Sequence, residues 1–188
     1  EQPAAASELL KDITEIEIHW LTGDVYLVES NADGVAFQED YTGDNEDYRM
    51  RYRVSNGKLI IQPCKSRLFS NMDLPRKALT VFLPDTLTLD NITVETVSAN
   101  VELMGGSVDS LTVSTTSGGI TGPGLPAREY SFSTVSGDIF LSVLPAGGSS
   151  ITCETVSGEA SIDCSAPPET VSFSGVSGGL CLTLPEGS

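Results

Sequence analysis

The sequence predicts an all-β protein: a β-solenoid or β-helix-like stack of two-strand repeats of about twenty residues, preceded by an N-terminal antiparallel meander. The first observation behind this is self-similarity. ETVSANVEL (95–103), STTSGGITG (114–122), STVSGDIFL (133–141), ETVSGEASI (154–162) and SGVSGGLCL (174–182) align on Ser98, Ser117, Ser136, Ser157 and Ser177, spaced 19, 19, 21 and 20 residues apart. The second is period-2 alternation on both sides of each serine, the signature of strands with one buried face. The third is composition: 39% hydrophobic but only 6% aromatic, with 18 glycines in 188 residues. Small β-branched side chains must do the packing, which suits closely stacked strands.

Each unit reads as a strand, a corner and a second strand. Four residues before the serines lie Val94, Val113, Phe132, Cys153 and Phe173, and six before lie Ile92, Leu111, Tyr130, Ile151 and Val171. Three residues after them lie Val101, Ile120, Ile139, Ala160 and Leu180, and five after lie Leu103, Gly122, Leu141, Ile162 and Leu182. The inward phase therefore shifts by one residue at the corner. Gly118, Gly137, Gly158 and Gly178 are expected there for their freedom to take positive φ, with the serine bonding to the turn backbone. Prolines near the ends of the second strands, such as Pro126, Pro145 and Pro185, stop the ladders. A unit this short cannot bury its own apolar face, so equivalent positions are expected to stack into core ladders.

The pattern extends backward to residues 16–27, where Ile16 and Ile18 precede, and Val25 and Leu27 follow, a Thr22-Gly23-Asp24 corner. Between that unit and the regular array, residues 34–41, 47–54 and 58–63 read as an antiparallel meander with a hairpin turn at Ser55-Asn56-Gly57-Lys58. Leu79, Val81 and Leu83, closed by Pro84, add one more edge of the array. Residues 1–12 read as a tether or a disordered segment, with a helical turn or two at 4–11. This divides the chain into 1–12, an N-terminal β-unit over 13–78, and the array over 79–188, the last two forming one continuous domain. The opening EQPAAASELLKD is consistent with a signal or anchor upstream.

The T-V-S-G-D-I units and strand-ending Leu-Pro pairs resemble the "putative adhesin" family, bacterial β-strand repeat proteins of unknown function. The resemblance spans essentially residues 13–185. It implies a β-helix-like fold, a surface or envelope setting and no established reaction. Ala99-Asn100 departs from the Gly-Asp corner, and residues 31–78 fit the repeat poorly.

Charge and residue inventory narrow the function. Ten Lys and Arg against 26 Asp and Glu give a formal charge of −16. That sign disfavours nucleic acid and a bare anionic membrane surface as partners, leaving membrane attachment only through a tether outside this sequence. No stretch reaches the roughly 18 apolar residues of a spanning helix. His19 is the only histidine, so a His-based metal triad is impossible and a Ser–His–Asp triad would have to use it. An outward strand position is the expected place for His19. The serines recur in every unit, as turn residues do and a nucleophile does not. Cys153 and Cys164 fall on inward phases and should be buried and unpaired; Cys181 falls on the outward phase, and Cys64 stands apart. The acidic run from Glu39 to Asp47 is expected to be a solvated hairpin loop rather than a cation site. Polysaccharide-cleaving enzymes share solenoid folds, but Arg128 is the only basic residue from 79 to 188, which leaves proton abstraction without a base.

The reading is thus a non-enzymatic module with no cofactor and no metal, at the bacterial cell envelope or outside the cell, binding a protein or glycan. The alternative is an intracellular or membrane-tethered scaffolding domain, and a carbohydrate-active enzyme is a minor third. If the module has a contact site, the sequence points to Arg49, Arg51 and Arg53, which alternate on one strand face of the segment that breaks the repeat. The competing and preferred reading makes that segment a capping hairpin whose arginines pair with nearby acids.

Overall fold

The computed structural model describes residues 2–3, 6–7, 9–65, 75–143 and 145–185. In chain order the strands are β1 (Gln2–Pro3), β2 (Glu15–Ser30), β3 (Ala36–Glu39), β4 (Arg51–Ser55), β5 (Lys58–Gln62), β6 (Leu79–Pro84), β7 (Leu89–Met104), β8 (Val108–Thr115), β9 (Ile120–Gly122), β10 (Ala127–Thr134), β11 (Ile139–Val143), β12 (Pro145–Ser157), β13 (Ala160–Cys164), β14 (Thr170–Ser177) and β15 (Leu180–Thr183). They form a flattened parallel coil with two strand faces. One face runs β5, β2, β7, β8, β10, β12, β14; the other runs β6, β2, β7, β9, β11, β13, β15. β2 and β7 contribute to both faces because each continues unbroken through its corner.

The core is a set of side-chain columns in residue-for-residue register. One column is Ile61, Ile18, Val94, Val113, Phe132, Cys153 and Phe173. Facing it stands Leu79, Val25, Val101, Ile120, Ile139, Ala160 and Leu180. All but the final residues, Phe173 and Leu180, are buried. Adjacent rungs lie about 4.8 Å apart, so each column is a continuous apolar contact, and each buried aliphatic side chain contributes roughly 1.5–3 kcal/mol.

The predicted serine stacking is present. Ser117 and Ser136 donate their backbone N–H to Val97 and Thr116 carbonyls one rung earlier, at 2.9 and 3.0 Å. Ser157 pairs with Ser177. The corner chemistry differs from expectation in two respects. The serine hydroxyls bridge rungs instead of closing their own turns: Ser98, Ser117 and Ser136 donate to the carbonyls of Leu21, Val97 and Thr116. The turn itself is closed by a buried threonine two residues earlier, with Gly118 N–H donating to Thr115 Oγ1 at 2.9 Å and Gly137 N–H to Thr134 Oγ1 at 2.8 Å.

The glycines are also there for a different reason. Gly178 has φ +148°, but Gly118, Gly137 and Gly158 do not lie in the positive-φ region. A Cβ on these three would stand only 1.9–2.1 Å from the carbonyl oxygen of the corner residue below. Close approach of two backbones, not turn handedness, excludes a side chain. Ala99 is tolerated because β7 passes its corner as an extended strand paired to β2 (Gly23↔Ala99, Asp24↔Asn100).

The segment between β2 and β7 is not a continuous meander. Only β4 and β5 form the expected antiparallel hairpin, turning at Asn56 (φ +51°) and Gly57 (φ +78°). β3 pairs instead with β6, antiparallel, on the opposite face. The reason is that β5 and β6 together make a further rung beneath β2, leaving β4 and β3 to cover its two edges. The described residues of the expected helical turn at 4–11 are not helical: Ala6 bridges Gln38 and Leu10 bridges Val35. The described residues of the expected tether thus lie against the body, and β1 pairs with β4.

Candidate functional site

The basic and acidic groups of the cap rung mostly serve one another. Arg49 Nε donates to Glu46 at 2.8 Å, and its guanidinium lies 5.7 Å from the centre of the Tyr41 ring. Arg51 is buried and donates to the Glu46 carbonyl at 2.7 Å. Arg53 is exposed. The sequence-predicted trio is therefore split: β4 carries Arg51 and Arg53 on one face, but the loop bearing Glu46 covers Arg51.

The acidic run is not a plain solvated loop. Glu39 is buried against Lys77 Nζ at 2.5 Å, their side chains 0% and 3% exposed. Lys77 also donates to the Tyr48 carbonyl, and its ammonium sits 5.2 Å from the Trp20 ring. Burial pushes the Glu39 carboxyl up and the Lys77 ammonium down. Trp20 Nε1 donates to the Lys77 carbonyl, which lies directly over Gly23, so this pair anchors the corner of the cap rung. Asp40 accepts from Ala78 N–H, and Asp47 from Lys65.

His19 occupies the outward position expected of it. Its Nε2 lies 2.6 Å from Glu17 and its Nδ1 3.1 Å from Glu95. Glu17 is held below the usual carboxylate range, chiefly by the hydrogen bond from Lys58 at 2.6 Å. The row Lys58, Glu17, His19, Glu95 crosses the outer surface of three consecutive strands.

Beside this row is a feature absent from the sequence expectations. The residue before each corner serine points outward, giving the stacked series Leu21, Val97, Thr116, Val135, Val156 and Val176. Val97, Val135, Val156 and Val176 are 39, 47, 46 and 83% exposed. The one-residue phase shift explains this: with threonine and glycine both turned inward, the intervening Val-Ser pair must face solvent. The shift is legible in the sequence, and the place of the valine follows from it. The ridge borders a groove of about 390 Å³ lined by His19, Trp20, Leu21, Gln62, Glu95, Thr96 and Val97. An aliphatic floor with a carboxylate and an imidazole on its wall suits an apolar side chain or sugar face carrying a hydrogen-bonding or cationic group.

Cys64, Cys153 and Cys164 are buried and Cys181 is exposed, and none of the four is in a disulfide. Burial raises the Cys153 thiol to about 11, as expected of a core residue. Among the described residues no helix is long and apolar enough to cross a membrane.

No curated protein matches the chain. Among solved structures, a protein of Clostridium sporogenes described as a "putative cell adhesion protein" is similar in fold at 9% identity and TM-score 0.53, the match covering 98% of this chain and 100% of that one. A "putative adhesin" of Bacteroides fragilis is 17% identical over 95% of each chain, with TM-score 0.45. The sequence model of one family, Toastrack DUF4097, matches residues 13–163, four-fifths of the molecule and all of its rungs up to β13. The chain belongs to the Toastrack DUF4097 family.

Proposed function

We propose that this chain is a non-catalytic binding module of the bacterial cell envelope, which engages a protein or glycan along the valine ridge and its adjoining groove. The observation that carries the reading is the recurrence of an exposed aliphatic side chain at one corner of successive rungs. Single exposed apolar residues are ordinary on any surface, but an aligned series beside a groove is the form of an interaction site. The resemblance in fold to a protein described as a cell adhesion protein supports a surface setting. The acidic balance of −16 suits a partner with positive or neutral groups.

The test is binding of labelled protein to isolated bacterial envelope fractions and to a glycan array, with Val97→Lys/Val135→Lys/Val156→Lys beside the parent. Phe140→Ser, on the opposite strand face, serves as control. Binding by parent and control but not by the ridge variant, with all three melting alike, is the expected result. Equal binding by the ridge variant removes the ridge from the site, and no binding by the parent removes the module reading altogether.

A further inference from the structure

The two ends of the coil are finished differently. At the β5–β6 end, β4 covers β5 antiparallel, β1 covers β4, and β3 covers β6. At the other end, β14 and β15 hydrogen-bond to β12 and β13 on one side only. Among the described residues nothing pairs with their outer edges. The core columns also surface here: Val171 is 36% exposed, while Ile151 one rung in is 1%. Phe173, Leu180 and Leu182 are only partly buried, although Cys153, Ala160 and Ile162 beneath them are almost fully covered.

Open strand edges invite pairing, and proteins normally protect them with charges, prolines or bulges. This edge has no charge at all. Residues 170–185, TVSFSGVSGGLCLTLP, contain no Asp, Glu, Lys or Arg, in a chain where such residues make up 19%. Two molecules of net charge −16 repel each other over most of their surfaces. The uncharged strands of the terminal rung, with Glu169 the one described acid beside them, are where that repulsion is weakest and where backbone groups and apolar side chains have most to gain from each other. A partner recruited by charge would find no counter-charge on these strands.

We propose that the β14–β15 edge is a self-association surface, which pairs with the same edge of a second copy of this chain. A two-fold axis places β14 antiparallel to its counterpart and continues the core columns from one molecule into the other. The covered β5–β6 end prevents head-to-tail growth, so the product is a closed dimer. A contact of one rung lies at the small end of specific interfaces, and the dimer is accordingly concentration-dependent. This does not depend on the ridge reading, since the ridge lies along the coil and the edge across its end.

Sedimentation velocity over a wide concentration series tests it, together with hydrogen exchange of the β14 amides at both extremes. The expected result is a shift from 19.8 kDa to twice that mass, with β14 amides protected only in the heavier species. Val171→Lys/Leu182→Lys, which points charges into the joint, should keep the protein at monomer mass with an unchanged melt in dilute solution. Val97→Lys should dimerise as the parent does. A parent that stays monomeric throughout, or β14 amides that exchange equally fast at both extremes, overturns the proposal. So does a dimer that survives the double substitution. The exchange measurement uses the parent alone and remains decisive should the variant fold poorly.

Discussion

Adjacent glycines at one corner offer a sharp test of why the coil needs them. A Cβ on Gly118 would lie 1.9 Å from the Ala99 carbonyl oxygen and 2.9 Å from Thr115 Oγ1. A Cβ on Gly119 would meet nothing nearer than the Asp138 oxygen at 3.5 Å, an ordinary contact. Gly118→Ala must therefore push the stacked backbones apart by more than an ångström. Overpacking of this kind costs about 1–3 kcal/mol, and losing the Gly118 N–H bond to Thr115 costs about 1 more. For a chain of 188 residues, each kcal/mol corresponds to about 2–4 °C in Tm, so the melt should fall by roughly 5–15 °C. Gly119→Ala should be neutral or stabilising by up to about 1 kcal/mol through the unfolded chain. Thermal unfolding followed by circular dichroism decides the matter. If the two variants melt within about 2 °C of each other, close backbone approach is not what holds glycine at these corners.

Four further outcomes follow from contacts already described. Lys77→Met leaves Glu39 buried without its partner and should cost about 3–5 kcal/mol in urea unfolding, most of it recovered in Glu39→Gln/Lys77→Met. Arg51→Ser, removing a buried side chain bonded to the Glu46 carbonyl, should lose about 1–3 kcal/mol, whereas exposed Arg53→Ser should stay within about 0.5 in the same assay. Because the Glu17 carboxyl is held below its ordinary 4.5, its contribution is complete above that pH and is lost as pH falls through the lowered value. Stability of Glu17→Gln and parent should accordingly differ at neutral pH and converge in acid. In native protein at neutral pH, Cys181 should react with a thiol reagent well before Cys153, and full denaturation should expose four thiols by the same titration.

The columns of the core were legible because a repeat makes sequence distance and spatial distance proportional. Once Ser98 to Ser177 were aligned, Val94 above Val113 above Phe132 followed with no further assumption. The same device explains the outward place of His19 and the burial of Cys153 and Cys164. It fails where contacts do not repeat. Glu39 meets Lys77 across 38 residues of sequence, and nothing in the spacing of a single acidic run marks one member as buried. β3 likewise could have paired with β4, its neighbour in sequence; only the existence of the β5–β6 rung sends it to β6. Gly118, Gly137 and Gly158 were placed correctly and explained wrongly, because the distance between stacked backbones is a property of two rungs and not of one turn.

The coil is held along its axis by rung-to-rung hydrogen bonds, while its covalent path runs mostly across that axis. Tension applied through the C-terminal end therefore peels rungs off singly, from β14–β15 inward, instead of shearing many strands at once. Each release frees about twenty residues, up to roughly 70 Å of slack chain, while the rungs behind keep their own columns and corners. Under load the molecule yields as a series of short, equal extensions, and a partner held against the rungs nearer β2 stays attached while the far end pays out.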